Sequence, residues 1–287
     1  MEECCRGTEY LLNLWRKKGR LMVIPQLYSI KEIEKQYDTG ELPVLVTCSD
    51  MNAYICKYMR SSSAAYKLVS ELVGALFVKA WKIASPPCAF VQIKTEHWAA
   101  IQTPRNLSAP CWGYLELQGV MDVTSSTYIE IENNLNTWLQ LLKIALFDFW
   151  IANEDRTYNN ANLLYDMQNR TLISIDYGGI FNTSTFEYPL SQLMPTDTIL
   201  YADIFHHLKR NANDVQLGKM INEMEAYYRV NIKESYECVD FILHSIPAEW
   251  NVRISLVEHK LHELFDSIWL DEVWSNFKDC LIQNFQA

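Results

Sequence analysis

Asp155, Asn160, Asn162 and Asp176 fall in one stretch of the chain, ANEDRTYNNANLLYDMQNRTLISIDYGGIF, from Ala152 to Phe181. Carboxylates and carboxamides offer hard oxygen ligands and proton acceptors, so their convergence suits Mg²⁺ held together with water and phosphate. The pattern between them predicts that convergence. LLYD and TLISI read as two strands, and MQNR between them as the turn of a hairpin. Asn162 lies just before the first strand and Asp176 just after the second, and paired strands run roughly 5 Å apart. The loop carrying Asp155 and Asn160 therefore meets Asp176 at one end of the hairpin. Gly178 and Gly179 follow directly and let the backbone turn sharply and approach a ligand closely.

A second pair lies earlier in the chain. Lys57 sits in the strand-like run AYICKYM, and Glu71 comes fourteen residues later in a helical pattern. An amine in a strand that faces a core needs a partner. Glu71 borders the apolar stripe of Leu68, Val69, Leu72, Val73, Leu76 and Phe77, so it can face inward and supply the countercharge.

The elements that must position these groups follow from local pattern. LPVLVTCSD and AYICKYM predict two strands joined by a turn at SDMN, and CAFVQI and CWGYLEL predict two more. The helix between the pairs stops before Pro86-Pro87, because a residue preceding proline is pushed out of helical geometry. The order from Leu42 to Leu117 is thus strand, strand, helix, strand, strand. From Tyr128 onward the chain reads as mostly helical. Trp138 to Ile151 is apolar nearly all round, the mark of a helix buried on most sides, and Tyr201 to Phe285 carries several amphipathic helices. The expected fold class is α+β with two lobes, a β-rich one at 1–118 and a helical one at 119–287 that contains the hairpin.

Composition narrows the function. Of 287 residues, 49% are hydrophobic and 21% charged, which is ordinary for a globular chain. Lys and Arg total 25 against 35 Asp and Glu, and the resulting charge of -10 argues against a broad grip on nucleic acid. No apolar run is long enough for a membrane span, and the N-terminus lacks the shape of a signal peptide. The eight cysteines include no C-x-x-C pair and read as small apolar core residues, giving an expected cytoplasmic setting.

Asp155 and Asn160 are five apart, as in the kinase catalytic loop H-R-D-x-x-x-x-N, and Asp176 stands where the D-F-G aspartate would. The chain resembles the HipA-like protein kinases, particularly a compact branch. The segments that carry the likeness are TGELPVLVTCSDMNAYICKYM, LVSELVGALFVKAWKIASPPCAFVQI, CWGYLEL, FDFWIANEDRTYNNANLLYD, LISIDYGGIF and IPAEWN, from Tyr37 to Asn251. The D-R-x-x-x-N and I-D-[FY]-G pairing is also similar to phosphoinositide-kinase loops. The resemblance implies a two-lobed kinase-like fold, with ATP and Mg²⁺ as cofactors. It implies transfer of the γ-phosphoryl group to a hydroxyl, a Ser or Thr of a protein substrate. By position, Lys57 would contact the phosphates, Glu71 would orient it, and Asp155 would take the acceptor's proton. Asn160 and Asp176 would hold Mg²⁺, with Asn162 as a further ligand or a brace. A toxin-antitoxin setting with a neutralising partner protein belongs to the same implication. GELPV, where a phosphate-covering loop is expected, has one glycine in place of a glycine-rich run, and position 157 is Thr where some relatives have His.

Each residue has a plainer explanation. Lys57 could be an edge-strand lysine, Glu71 a solvated helix residue, and the Asp and Asn residues turn formers. Two alternatives stand beside the protein kinase: a small-molecule or lipid kinase, and a nucleotide-binding pseudokinase. His206-His207, His97, Ser61 to Ser63 and the basic cluster Arg16-Lys17-Lys18-Arg20 read as packing or solvated surface rather than as sites.

Overall fold

The computed structural model describes residues 23–98, 108–210 and 212–286, so the basic cluster at 16–20 and the Cys4-Cys5 pair lie outside the described residues. Two sheets and a set of helices build the fold. The larger sheet has six strands in the order β1-β5-β6-β4-β3-β2. They are β1 Gln26–Tyr28, β2 Lys35–Gln36, β3 Val44–Thr47, β4 Ala53–Lys57, β5 Cys88–Gln92 and β6 Cys111–Leu115. The β1–β5 pair is parallel and the other pairs are antiparallel. In this sheet Lys57, the last residue of β4, pairs with Trp112 of β6.

Helix α1, Ser62–Ala80, follows β4 after a short connection. Ser61 caps it by accepting a hydrogen bond from the Ala64 amide. The expected apolar stripe is buried, and Glu71 on the same helix is fully buried with it. The predicted order of strand, strand, helix, strand, strand corresponds to β3, β4, α1, β5 and β6. The strands β1 and β2 have no counterpart in the sequence reading. They are two or three residues long and carry no alternation of buried and exposed positions strong enough to read.

The smaller sheet places β7, Val120–Asp122, beside the hairpin of β8, Leu163–Asp166, and β9, Thr171–Ser174. The hairpin is the expected one, with Leu163 opposite Ser174. The addition of β7 was not foreseen. Helix α2, Leu135–Ile151, is capped by Asn134 and ends at Ala152 in a left-handed conformation. It is buried along most of its length, as its composition predicts. After the short α3, Ile180–Ser184, come α4 Asp203–Lys209, α5 Asp214–Tyr236, α6 Val239–Ser245, α7 Ile254–Glu263 and α8 Ser267–Gln286. Among the described residues no helix is long and apolar enough to cross a membrane.

One core cluster runs from α1 through β5 and β6 into α2 and the later helices, centred on Trp81, Trp112, Phe147 and Trp150. A second fills the opposite face of the large sheet with Val44, Val46, Cys56, Val91 and Cys111. The thiols there behave as small apolar groups: burial pushes Cys48 and Cys111 up to about 12.

Candidate active site

Lys57 is buried at the end of β4, where its amine meets three carboxylates. Its Nζ lies 2.5 Å from Glu71 Oε1, 2.8 Å from Asp176 Oδ1 and 3.0 Å from Glu41 Oε2. Burial alone would lower the lysine, but the charges of Glu71, Asp176 and Glu41 carry it well above its ordinary value, so the amine is a fixed cation. Burial pushes Glu71 up to about 7 against the pull of Lys57.

Glu71 is held at both oxygens. Its Oε2 accepts hydrogen bonds from the Tyr114 hydroxyl at 2.8 Å and the Tyr177 amide at 3.1 Å. The second bond ties helix α1 to the loop after the hairpin. Gly74 makes that contact possible. A Cβ at position 74 would lie 2.3 Å from Tyr177 Cβ, so only glycine lets the tyrosine sit against the helix one turn past Glu71.

Asp176 has a left-handed backbone, with φ of 60°. A non-glycine residue in this region is strained, and such strain concentrates where a side chain must be aimed. Its Oδ1 accepts from Lys57 and, at 3.2 Å, from the Gly178 amide. Against the desolvation of a half-buried position, the Lys57 charge and hydrogen bond hold Asp176 down at about 2.

Asp155 stands on the other side of the same junction. A Cβ on Gly179 would lie 2.4 Å from Asp155 Cβ, a direct measure of how closely the two loops approach. The Glu154 amide donates to Gly179 O, and the Asp155 amide donates to Asn153 Oδ1. Asn160 Nδ2 donates to Asp155 Oδ1 at 3.2 Å, and Asn162 Nδ2 to Asp155 Oδ2 at 3.2 Å. Desolvation and the neighbouring Asp176 charge raise the Asp155 carboxyl above its ordinary value.

All six residues singled out in the sequence come together. Lys57, Glu71 and Asp176 make direct contacts, Asp155, Asn160 and Asn162 form a second hydrogen-bonded group, and the Asp176–Gly179 turn joins the two.

Arg156 was not among the residues singled out, and it braces this junction. It is fully buried, and its Nε donates to Asp148 Oδ2 of α2 at 2.8 Å. Its Nη1 donates to the carbonyls of Ala161 and Asn162, and its Nη2 donates to Ser174 Oγ at 2.7 Å and Ile175 O. One guanidinium therefore joins the start of β8 to the end of β9 and fixes both to the buried helix. Burial pushes Asp148 up to about 6 against the pull of Arg156. The readable signal was Asp148 itself, the one acid in a mostly apolar helix. Glu41 was also missed, as nothing in GELPV marks that acid as facing Lys57. His207 packs on Tyr128 and contacts the Ile131 carbonyl, and His97 contacts Ser29, consistent with reading them as packing.

A family model described as HipA-like kinase matches residues 30–271. The chain belongs to the HipA-like kinase family. The match begins before and ends after the span of quoted segments, Tyr37 to Asn251, and the fold agrees with it. The crystal structure of a Helicobacter pylori proinflammatory kinase, CtkA, is similar at a TM-score of 0.51 and 13% identity, covering 91% of this HipA-like chain and 98% of that one. That likeness shows a kinase-like fold of mixed α and β structure. The open conformation of CtTel1 also aligns, at a TM-score of 0.26 and 11% identity, covering 85% of this chain and 11% of that one. No curated protein matches the sequence.

Proposed function

We propose that this HipA-like kinase transfers the γ-phosphoryl group of ATP to a hydroxyl, a Ser or Thr of a protein substrate. The observation that carries the reading is the contact of Lys57 with both Glu71 and Asp176, across the Asp176–Gly179 turn from Asp155. A strand lysine positioned by a helix glutamate is the arrangement that cradles nucleotide phosphates in kinases.

Each side chain then has one task. Lys57 offsets phosphate charge, and Glu71, locked by Tyr114 and the Tyr177 amide, holds its amine in place. Asp155 orients the acceptor hydroxyl and takes its proton, a task to which a raised carboxyl pKa is suited. Asn160 and Asn162 keep that carboxylate aimed. Phosphoryl transfer asks little covalent chemistry of the protein, so positioning and charge do most of the work.

The residues present also fit Mg²⁺. Asp176 is ionised at any working pH, and the amides of Asn160 and Asn162 donate to Asp155 while their oxygens have no hydrogen-bond partner among the described residues. These oxygens and the Asp176 carboxylate are the hard donors that would hold the ion. When bound, Mg²⁺ supplies positive charge against the phosphate oxygens. In the wider setting, restraint by a partner protein is drawn from family membership, and a cytoplasmic location from the scattered, unpaired cysteine pattern.

The test is mass spectrometry of host proteins after incubation with the purified chain and ATP carrying a heavy γ-phosphate. Labelled Ser or Thr that disappears with Asp155→Asn supports the reading. Label found only on a small molecule or lipid moves the acceptor, and ATP binding without transfer by the wild type makes the chain a pseudokinase.

A further inference from the structure

We propose that Lys57 and Lys67 together form a seat for nucleotide phosphate, and that Glu41 is its internal occupant, displaced when nucleotide binds. The inference rests on the kinase reading above and adds a second phosphate-binding lysine and a built-in competitor.

Glu41 bridges the two amines. Its Oε2 lies 3.0 Å from Lys57 Nζ and its Oε1 lies 3.1 Å from Lys67 Nζ. An anion with two oxygens split between two ammonium groups is what a phosphate would present at the same place. Lys67 is on α1, one turn before Glu71, so one helix carries both the residue that positions Lys57 and a second cation beside it. Glu41 also lies against the glycine pair. A Cβ at Gly178 would be 3.4 Å from Glu41 Oε1, so the carboxylate fills space that a ligand approaching this turn must enter.

Among the three acids on Lys57, Glu41 is the one built to leave. Glu71 is fully buried and held by Tyr114 and the Tyr177 amide, and Asp176 is held by the Gly178 amide. Glu41 has no partner among the described residues beyond the two lysines. Its loop carries strain as well. Leu42, the next residue, has φ of 48°, a left-handed conformation that a bulky side chain disfavours. The turn is closed by a bond from the Leu42 amide to Thr39 O. Three carboxylates on one buried amine also repel an incoming triphosphate, and removing Glu41 from it lessens that repulsion.

The test is calorimetric titration of the full chain with Mg·ADP and, separately, with adenosine. Glu41→Gln should bind Mg·ADP about fivefold tighter, the upper range for a partly exposed ion pair, with adenosine affinity unchanged. In the Glu41→Gln background, Lys67→Met should then weaken Mg·ADP by a similar factor and again spare adenosine. Unchanged Mg·ADP affinity in Glu41→Gln, or an unaffected double variant, overturns the seat while leaving the kinase reading intact. Failure of the wild type and every variant to bind either ligand overturns both.

Discussion

Lys57 Nζ and Asp176 Oδ1 lie 2.8 Å apart although 119 residues separate them in the chain. The contact joins the end of β4 in the large sheet to the loop that follows the β8–β9 hairpin. Glu71, held by the Tyr177 amide, closes the triangle from α1.

That triangle sets the first expectation. Lys57→Met removes the cation that Glu71, Asp176 and Glu41 share, so transfer should fall by roughly a hundredfold or more, the scale seen when one charge-stabilising donor is lost. Glu71→Gln should reduce transfer less, because it keeps the shape and the Tyr177 bond site while losing the charge. Steady-state phosphorylation rates of the two variants, compared at saturating ATP, check the order.

Gly74→Ala places a methyl group 2.3 Å from Tyr177 Cβ. Alanine in a helix interior gains about 1 kcal/mol over glycine, while overpacking a buried contact costs about 1–3 kcal/mol. The clash should win, because the nearest atom belongs to the base of the ring and cannot swing away. Thermal unfolding should show a lower midpoint, with nucleotide affinity reduced as the Asp176 turn shifts.

The Asp148–Arg156 pair is a positioning device. Asp148→Ala leaves a buried guanidinium without its charge partner, a change worth about 3–5 kcal/mol of stability. Arg156→Lys keeps a charge but loses the fork that reaches both strand ends, so kcat should fall while KM for ATP moves little. An equal loss of both parameters, or none, would contradict the bracing role.

Acid dependence follows from Asp176. Its carboxyl is held at about 2, below its ordinary 3.8, so the stability it adds is complete above that ordinary value and is lost as pH falls through about 2. Glu71 acts in the opposite sense. Raised to about 7 from 4.5, it contributes most below its ordinary value and loses that contribution as pH rises through about 7. Denaturant midpoints between pH 2 and pH 4 should therefore fall more steeply for the wild type than for Asp176→Asn.

The parts of this site that sequence revealed were those with a strict period or spacing. The hairpin was legible because LLYD and TLISI flank a polar turn, and two strand ends must be neighbours whatever surrounds them. The Lys57–Glu71 contact was legible because a charge in an apolar strand and a charge beside an apolar helical stripe each demand a partner. Arg156 was harder, since its five donors go largely to backbone carbonyls that no residue type announces. Glu41 gave no signal, because whether a loop acid turns inward depends on tertiary approach. β7 was missed because three residues pair with β8 only once the hairpin exists.

Asp155 tests the central claim most directly. In single-turnover reactions with γ-labelled ATP, Asp155→Asn should keep nucleotide affinity within about twofold of the wild type and lose transfer by roughly 10²–10⁴-fold, the usual worth of a positioned proton acceptor. Transfer by Asp155→Asn at the wild-type rate would contradict the account.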